Sequence, residues 1–186
     1  MRKVLIGFLA MGLCVLGLGA MWIVRADDAD DDDTVKFTAN LDGFQEVPAI
    51  LSDGKGTLTL TLDRSLKKID FELKYSDLTG VRQSHIHFGR VHTPGGIMVF
   101  FCTNLNNGPA GTQICPSSPG TVTGTIMASD VVSLAAQNVT AGDYDVVIDA
   151  LLSNSAYANV HTSNFKAGEI RGQIHMEGRR RDEDDK

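Results

Sequence analysis

Two neighbouring stretches constrain this chain more than any others. In Gly56-Thr57-Leu58-Thr59-Leu60-Thr61-Leu62, leucine and threonine alternate without a break. In residues 67–75, Ile69, Phe71, Leu73 and Tyr75 alternate with Lys68, Asp70, Glu72 and Lys74. A period of two puts successive side chains on opposite faces of a strand, whereas a helix would scatter the same leucines around its circumference. The intervening Asp63-Arg64-Ser65-Leu66 has the length of a hairpin loop. The pair therefore reads as two antiparallel strands with one apolar face and one wet face. The rest of the chain must supply a second apolar surface to cover the first.

Further strands are expected at 35–41, 82–89, 97–102, 121–127, 156–162 and 169–176. Residues 97–102 are nearly all apolar, which predicts a buried central strand or packing on both faces. Residues 43–48 read as a turn and an edge segment, because Pro48 cannot donate to a ladder. The Asn-, Gly- and Pro-rich stretch 103–120 reads as a long loop, and 163–168 closes a final hairpin. In the last strand Ile170, Gly172 and Ile174 share one face, opposite Glu169, Arg171, Gln173 and His175. Near 143–152 the apolar spacing becomes helical (Val147, Ala150, Leu151), with Asp143 as the cap and Asp145 in the first turn. The β-branched run Val146-Val147-Ile148 leaves a strand as the alternative there. The fold predicted is all-β: an antiparallel, Greek-key-like β-sandwich with one short helix.

The ends of the chain look like address and tail. Residues 1–26 combine basic Arg2-Lys3, a long apolar run and a small-residue cleavage site at Val24-Arg25-Ala26, the pattern of a secretory signal peptide. The run is long enough to span a bilayer, so a retained N-terminal anchor is the alternative, and the only membrane attachment expected. Cys14 lies inside it. Residues 27–34 form an acidic linker without the glycine and spaced ligands of a calcium loop, and 178–186 a charged tail. The folded domain is thus expected over 35–177, outside the cytoplasm. The net charge is -6, and loss of Arg2, Lys3 and Arg25 with the signal leaves -9. A surface this acidic lacks the basic patch that nucleic-acid binding needs.

Chemistry concentrates at three of the five histidines. His85 and His87 are two apart in Ser84-His85-Ile86-His87-Phe88-Gly89, so a strand points both rings to one face. If His161 meets them, three imidazoles suit copper or zinc and leave a coordination position open. Glu169 or Asp149 then serves as an acceptor orienting a ring. The competing reading is a structural polar network in which His85 and His87 hydrogen-bond to Asn159, Glu169 or backbone, with Glu169 and Arg171 as an ion pair. His92 and His175 read as exposed. Cys102 and Cys115 in an exported domain predict a disulfide, because their twelve-residue spacing is far from that of a thiolate metal pair. No nucleophile elbow, phosphate loop or paired-acid set is found in the sequence.

Four stretches in order carry a resemblance: Phe44-Gln45-Glu46-Val47-Pro48, Ser84 to Gly89, Ala158-Asn159-Val160-His161-Thr162 and Gly168-Glu169-Ile170-Arg171-Gly172-Gln173-Ile174. Together they resemble the CHRD domain, the module repeated in chordin and found as a lone exported domain in bacteria. The resemblance spans about residues 35–176. It implies an immunoglobulin-like or superoxide-dismutase-like β-sandwich, secreted or in the cell envelope, with an extracellular or envelope partner and no defined catalytic mechanism. A non-enzymatic binding or structural module is the role it implies. More loosely, His85-Ile86-His87 resembles the copper-ligand strand of Cu/Zn superoxide dismutases, which implies copper or zinc binding and, in its furthest form, dismutation. Only His85 and His87 match that family, and its bridging-histidine and zinc-ligand block has no counterpart.

Overall fold

The computed structural model describes residues 33–178. The expected signal peptide, most of the acidic linker and most of the charged tail lie outside the described residues. The elements run β1 (Thr34–Asp42), β2 (Lys55–Asp63), β3 (Lys68–Ser76), β4 (Val81–Phe88), β5 (Gly96–Thr103), β6 (Gly120–Ile126), α1 (Tyr144–Leu152), β7 (Ala156–Thr162), β8 (Ile170–Gln173) and β9 (His175–Met176). All strand pairs are antiparallel, in the order β5-β4-β7-β8-β1-β2-β3-β6, with β9 beside β1.

The alternating pair forms the hairpin expected of it. β2 and β3 run in unbroken register from Lys55↔Ser76 to Asp63↔Lys68. Leu58, Leu60, Leu62, Ile69, Leu73 and Tyr75 are buried, while Thr57, Thr59, Lys74 and Asp70 face out. The loop that joins them is held by Asp63, whose carboxylate accepts from the Leu66 amide at 2.9 Å.

Chain order explains how the sheet covers itself. After β3 the chain crosses to build β4 and β5, returns as β6 to pair with β3, then crosses again so that β7 lies beside β4. The apolar faces of the two halves meet in one core containing Phe37, Leu60 and Phe71 from one side and Ile86, Phe101 and Val160 from the other. Phe71 and Phe101 meet across it with ring centroids 4.7 Å apart. The described domain is therefore an all-β antiparallel sandwich whose sheet curls toward a barrel.

Two expectations need correction. Of the two readings of 97–102 the central strand fails, since β5 ends the hydrogen-bonded order, and packing on both faces holds. Its apolar run is buried because bulges opposite Ser84/His85 and Ile86/His87 turn residues to both faces, and because Val131 bridges Val99 on its outer edge. At 43–48 the expected turn forms, as a 3-10 turn at Gly43–Gln45 capped by the Asp42 side chain, but no edge strand follows it. The helix forms as expected over Tyr144–Leu152, with Asp143 accepting from the Val146 amide and Val147, Ala150 and Leu151 buried. Cys102 and Cys115 form a disulfide that ties the 103–119 loop to the end of β5, a closure of about 3 kcal/mol in the chain-entropy model.

The last strand is the corner of the fold. β8 pairs with β7 from Tyr157↔Gln173 to Val160↔Ile170, touches β1 at Asp42↔Arg171, and then hands over to β9, which pairs only with β1. One segment thus stitches the two halves together, and Ile170 and Ile174 point into the core while Arg171 and Gln173 point away. Gly172 permits the tight approach: a Cβ there would lie 2.4 Å from the Asn40 carbonyl oxygen of β1. We predict that Gly172→Ala destabilises the domain by about 1–3 kcal/mol, read as a lower urea midpoint; an unchanged midpoint would show that the β1–β8 contact has slack.

Candidate metal centre

The outer face of β4, β7 and β8 departs from sandwich convention, because it is not wet. β7 is buried at every position, and so is β8. Cross-strand register places His85 opposite Asn159, His87 opposite Tyr157 and Gln83 opposite His161 on β4 and β7, and Asn159 opposite Arg171 on β8. Alternation then puts His85, His87, Tyr157, Asn159, His161, Arg171 and Gln173 on one face. Two loops roof it. The 89–95 loop is held by Gln173 Nε2 donating to the Gly89 carbonyl and by Arg171 Nη2 donating to the Arg90 and Thr93 carbonyls at 2.9 and 3.0 Å. The 43–53 loop is held where Ser52 Oγ donates to Glu169 at 2.7 Å and Asn159 Nδ2 donates to the Glu46 carboxylate.

His85, His87 and His161 meet under this roof. Their nearest ligand-capable nitrogens all lie within 4.8 Å of one another, and His85 Nδ1 is 3.1 Å from His161 Nε2. The residues are 0%, 8% and 6% exposed, so water reaches them poorly. His87 Nδ1 lies 3.0 Å from the Gly95 carbonyl oxygen, and His161 Nδ1 lies 3.0 Å from that of Lys166. A carbonyl carries no proton, so both Nδ1 atoms donate and both Nε2 atoms keep a lone pair. His85 Nδ1–H then donates to His161 Nε2. His85 Nε2 and His87 Nε2 are left buried with no hydrogen-bond partner. Unpartnered buried acceptors are rare because each one costs desolvation.

Burial also holds the rings neutral. It lowers the pKa of His85 to about 2, with the His161 and His87 charges adding to the effect. Burial lowers His87 to about 4 although the Gly95 carbonyl favours its charged form. His161 is lowered too, by burial against the opposing Lys166 carbonyl. Neutral imidazoles, oriented through Nδ1 by carbonyls and offering Nε2, are what a transition metal requires. Nitrogens sharing a metal at about 2.0–2.1 Å stand about 3.3–3.5 Å apart. The ligand-capable nitrogens lie within 4.8 Å of one another, so the widest pair closes with a ring swing of about 1–1.5 Å, and His161 Nε2 gives up the His85 N–H to take the ion.

Of the partners expected for a structural network, His87 finds the backbone, through the Gly95 carbonyl, while neither His85 nor His87 bonds to the side chain of Asn159 or Glu169. Asn159 holds Glu46, and the Glu169 carboxylate accepts from Ser52 and from Thr162. Glu169 forms no ion pair with Arg171 among the described residues. Arg171 instead lies over the Tyr157 ring, 3.5 Å from its centroid, and Tyr157 stacks on His87 at 4.8 Å and 2°. Asp149 is exposed on α1 and is not part of the cluster. His92 is exposed, whereas His175 is half-buried in β9, where it pairs with Thr38.

Sequence reasoning missed Glu46, Tyr157 and the carbonyls of Gly95 and Lys166. Tyr157 was within reach, since it lies two and four residues from Asn159 and His161 on the same strand face. Glu46 comes from a loop, where no periodicity reports direction. Its burial raises its pKa to about 7 against the Arg171 charge and the Asn159 hydrogen bond.

The fold and site define an antiparallel all-β domain with a tri-histidine cluster on a loop-roofed outer face. The family model for the CHRD domain matches residues 37–174, and the chain belongs to the CHRD family. No curated protein matches it significantly.

The buried rings set an acid limit on the metal-free fold. Below pH 6.5 the unfolded chain protonates histidines that the native site keeps neutral down to about pH 4. Native Glu46 holds one proton between about pH 7 and 4.5 that the unfolded chain lacks, which partly offsets this. The unfolded state binds more protons on balance, so stability falls as pH drops through this window. Thermal unfolding from pH 7 to 4.5 should show a steep fall in Tm that flattens in His87→Gln/His161→Gln; parallel curves for the two proteins would refute the assignment.

Proposed function

We propose that this CHRD protein is an exported, non-enzymatic binding module whose ligand is a transition-metal ion, copper or zinc. His85, His87 and His161 are the ligands. The observation that carries this reading is the pair of buried, unpartnered Nε2 atoms on His85 and His87 beside the His161 ring. Asn159 Oδ1 and Gln173 Oε1 on this face are also unpartnered, but only the histidines converge as transition-metal donors. The disulfide and the CHRD match both favour an oxidising, extracellular-type setting. The acidic chain suits a cation and not a nucleic acid.

In this reading the Gly95 and Lys166 carbonyls fix the ring orientations of His87 and His161, and Tyr157 clamps His87 from its face. Because the Gly95 carbonyl belongs to the loop held by Arg171 and Gln173, that loop is part of the metal site's support.

Titration of the metal-stripped protein with Cu(II), Cu(I) and Zn(II) tests the reading. At least one of these ions should bind at about one equivalent, and His161→Gln should weaken it by at least about 100-fold, or about 2.7 kcal/mol. Thermal unfolding of the metal-free variant checks that the fold survives. Equal metal content in wild type and variant would end the proposal.

A further inference from the structure

The chemistry of the three-histidine cluster points beyond metal binding to the charge of the ion. We infer that the site selects monovalent copper, Cu(I), over Cu(II) and Zn(II). This inference rests on the metal reading above.

The argument begins with the donor set. Among the described residues the cluster holds His85, His87 and His161, with no carboxylate and no thiolate. Three imidazoles neutralise none of a bound ion's charge. The cost of moving an ion from water into a low-dielectric interior grows with the square of its charge, about fourfold from a monovalent to a divalent ion of equal size. The pocket offers little to offset it. His85 is fully buried, with the Phe100 ring edge-on to it at 4.4 Å. The buried carboxylates Glu46 and Glu169 are hydrogen-bonded to Asn159 and to Ser52 and Thr162, and neither belongs to the cluster.

A fixed cation adds to the bias. The Arg171 guanidinium lies on Tyr157, which lies on His87, so its charge stands behind one ligand with an aromatic ring between. Its repulsion doubles for a divalent ion. Coordination number points the same way. Zn(II) takes a fourth ligand and Cu(II) prefers a tetragonal set. A closed-shell monovalent ion has no such geometric demand and is satisfied by a splayed set of three nitrogens, such as this one, whose ligand atoms lie within 4.8 Å of one another.

The test uses the full chain, stripped of metal. Cu(I) affinity is measured anaerobically against bicinchoninate, and Cu(II) and Zn(II) against nitrilotriacetate. Ag(I) serves as a monovalent probe that undergoes no redox change. Cu(I) and Ag(I) should bind at one equivalent, each at least about 100-fold tighter than Cu(II) or Zn(II), and His161→Gln should abolish that preference. Cu(II) or Zn(II) binding as tightly as Cu(I), with loss in His161→Gln, would overturn the selectivity and leave the metal site standing. Binding of none of the four ions, or a preference untouched by His161→Gln, would overturn the metal reading and the selectivity with it.

Discussion

The hydrogen bonds from His87 and His161 Nδ1 to backbone carbonyls govern this domain's chemistry. Each fixes a tautomer, and each therefore decides which nitrogen is left to face the cluster. The carbonyl of Gly95 sits where it does because Tyr157, Arg171 and Gln173 grip the 89–95 loop. Those three side chains come from β7 and β8, whose register is set by the hairpin across 163–168. A chain of causes thus runs from strand pairing through loop anchoring to the protonation of a single ring.

The same arrangement explains why an outer sheet face is dry. A sandwich needs only one apolar face per half, and the other is ordinarily left to water. Here β7 and β8 carry small or aliphatic residues inward (Ala158, Val160, Ile170, Gly172) and polar residues outward (Asn159, His161, Arg171, Gln173). The roofing loops make the outward set a second, polar interior. Such an interior is tolerable because most of its members find partners: Arg171 on two carbonyls, Glu169 on two hydroxyls, Asn159 on Glu46. The unpartnered atoms on this face are His85 Nε2, His87 Nε2, Asn159 Oδ1 and Gln173 Oε1, and of their residues only the two histidines belong to the metal-capable cluster.

Much of this was legible from residue order. The leucine–threonine alternation dictated β2 and its partner, the helical spacing dictated α1, and the two-residue step from His85 to His87 put both rings on one face. The meeting with His161 was a conjecture that only strand order could decide, because β4 and β7 are separated by some seventy residues. What stayed hidden belongs to loops and bulges. Residues 97–102 read as a central strand or as packed on both faces, since hydrophobicity reports burial and not position in the sheet; bulges and the Val131 bridge bury an edge just as well. Alternation and opposite charge pair Glu169 with Arg171, while in the fold an aromatic face and two carbonyls take the guanidinium instead.

The closing segment, β8 with β9, has a consequence in time. Glu46 lies early in the chain, His85 and His87 in its middle, and His161 and Arg171 near its end. No shorter fragment contains the complete set, and the sheet that aligns them is not stitched until Ile170–Met176 pairs across both halves. Pairings of such long sequence separation form late. In the metal reading proposed above, a nascent chain carries none of the finished cluster, so an ion enters only after the domain has folded.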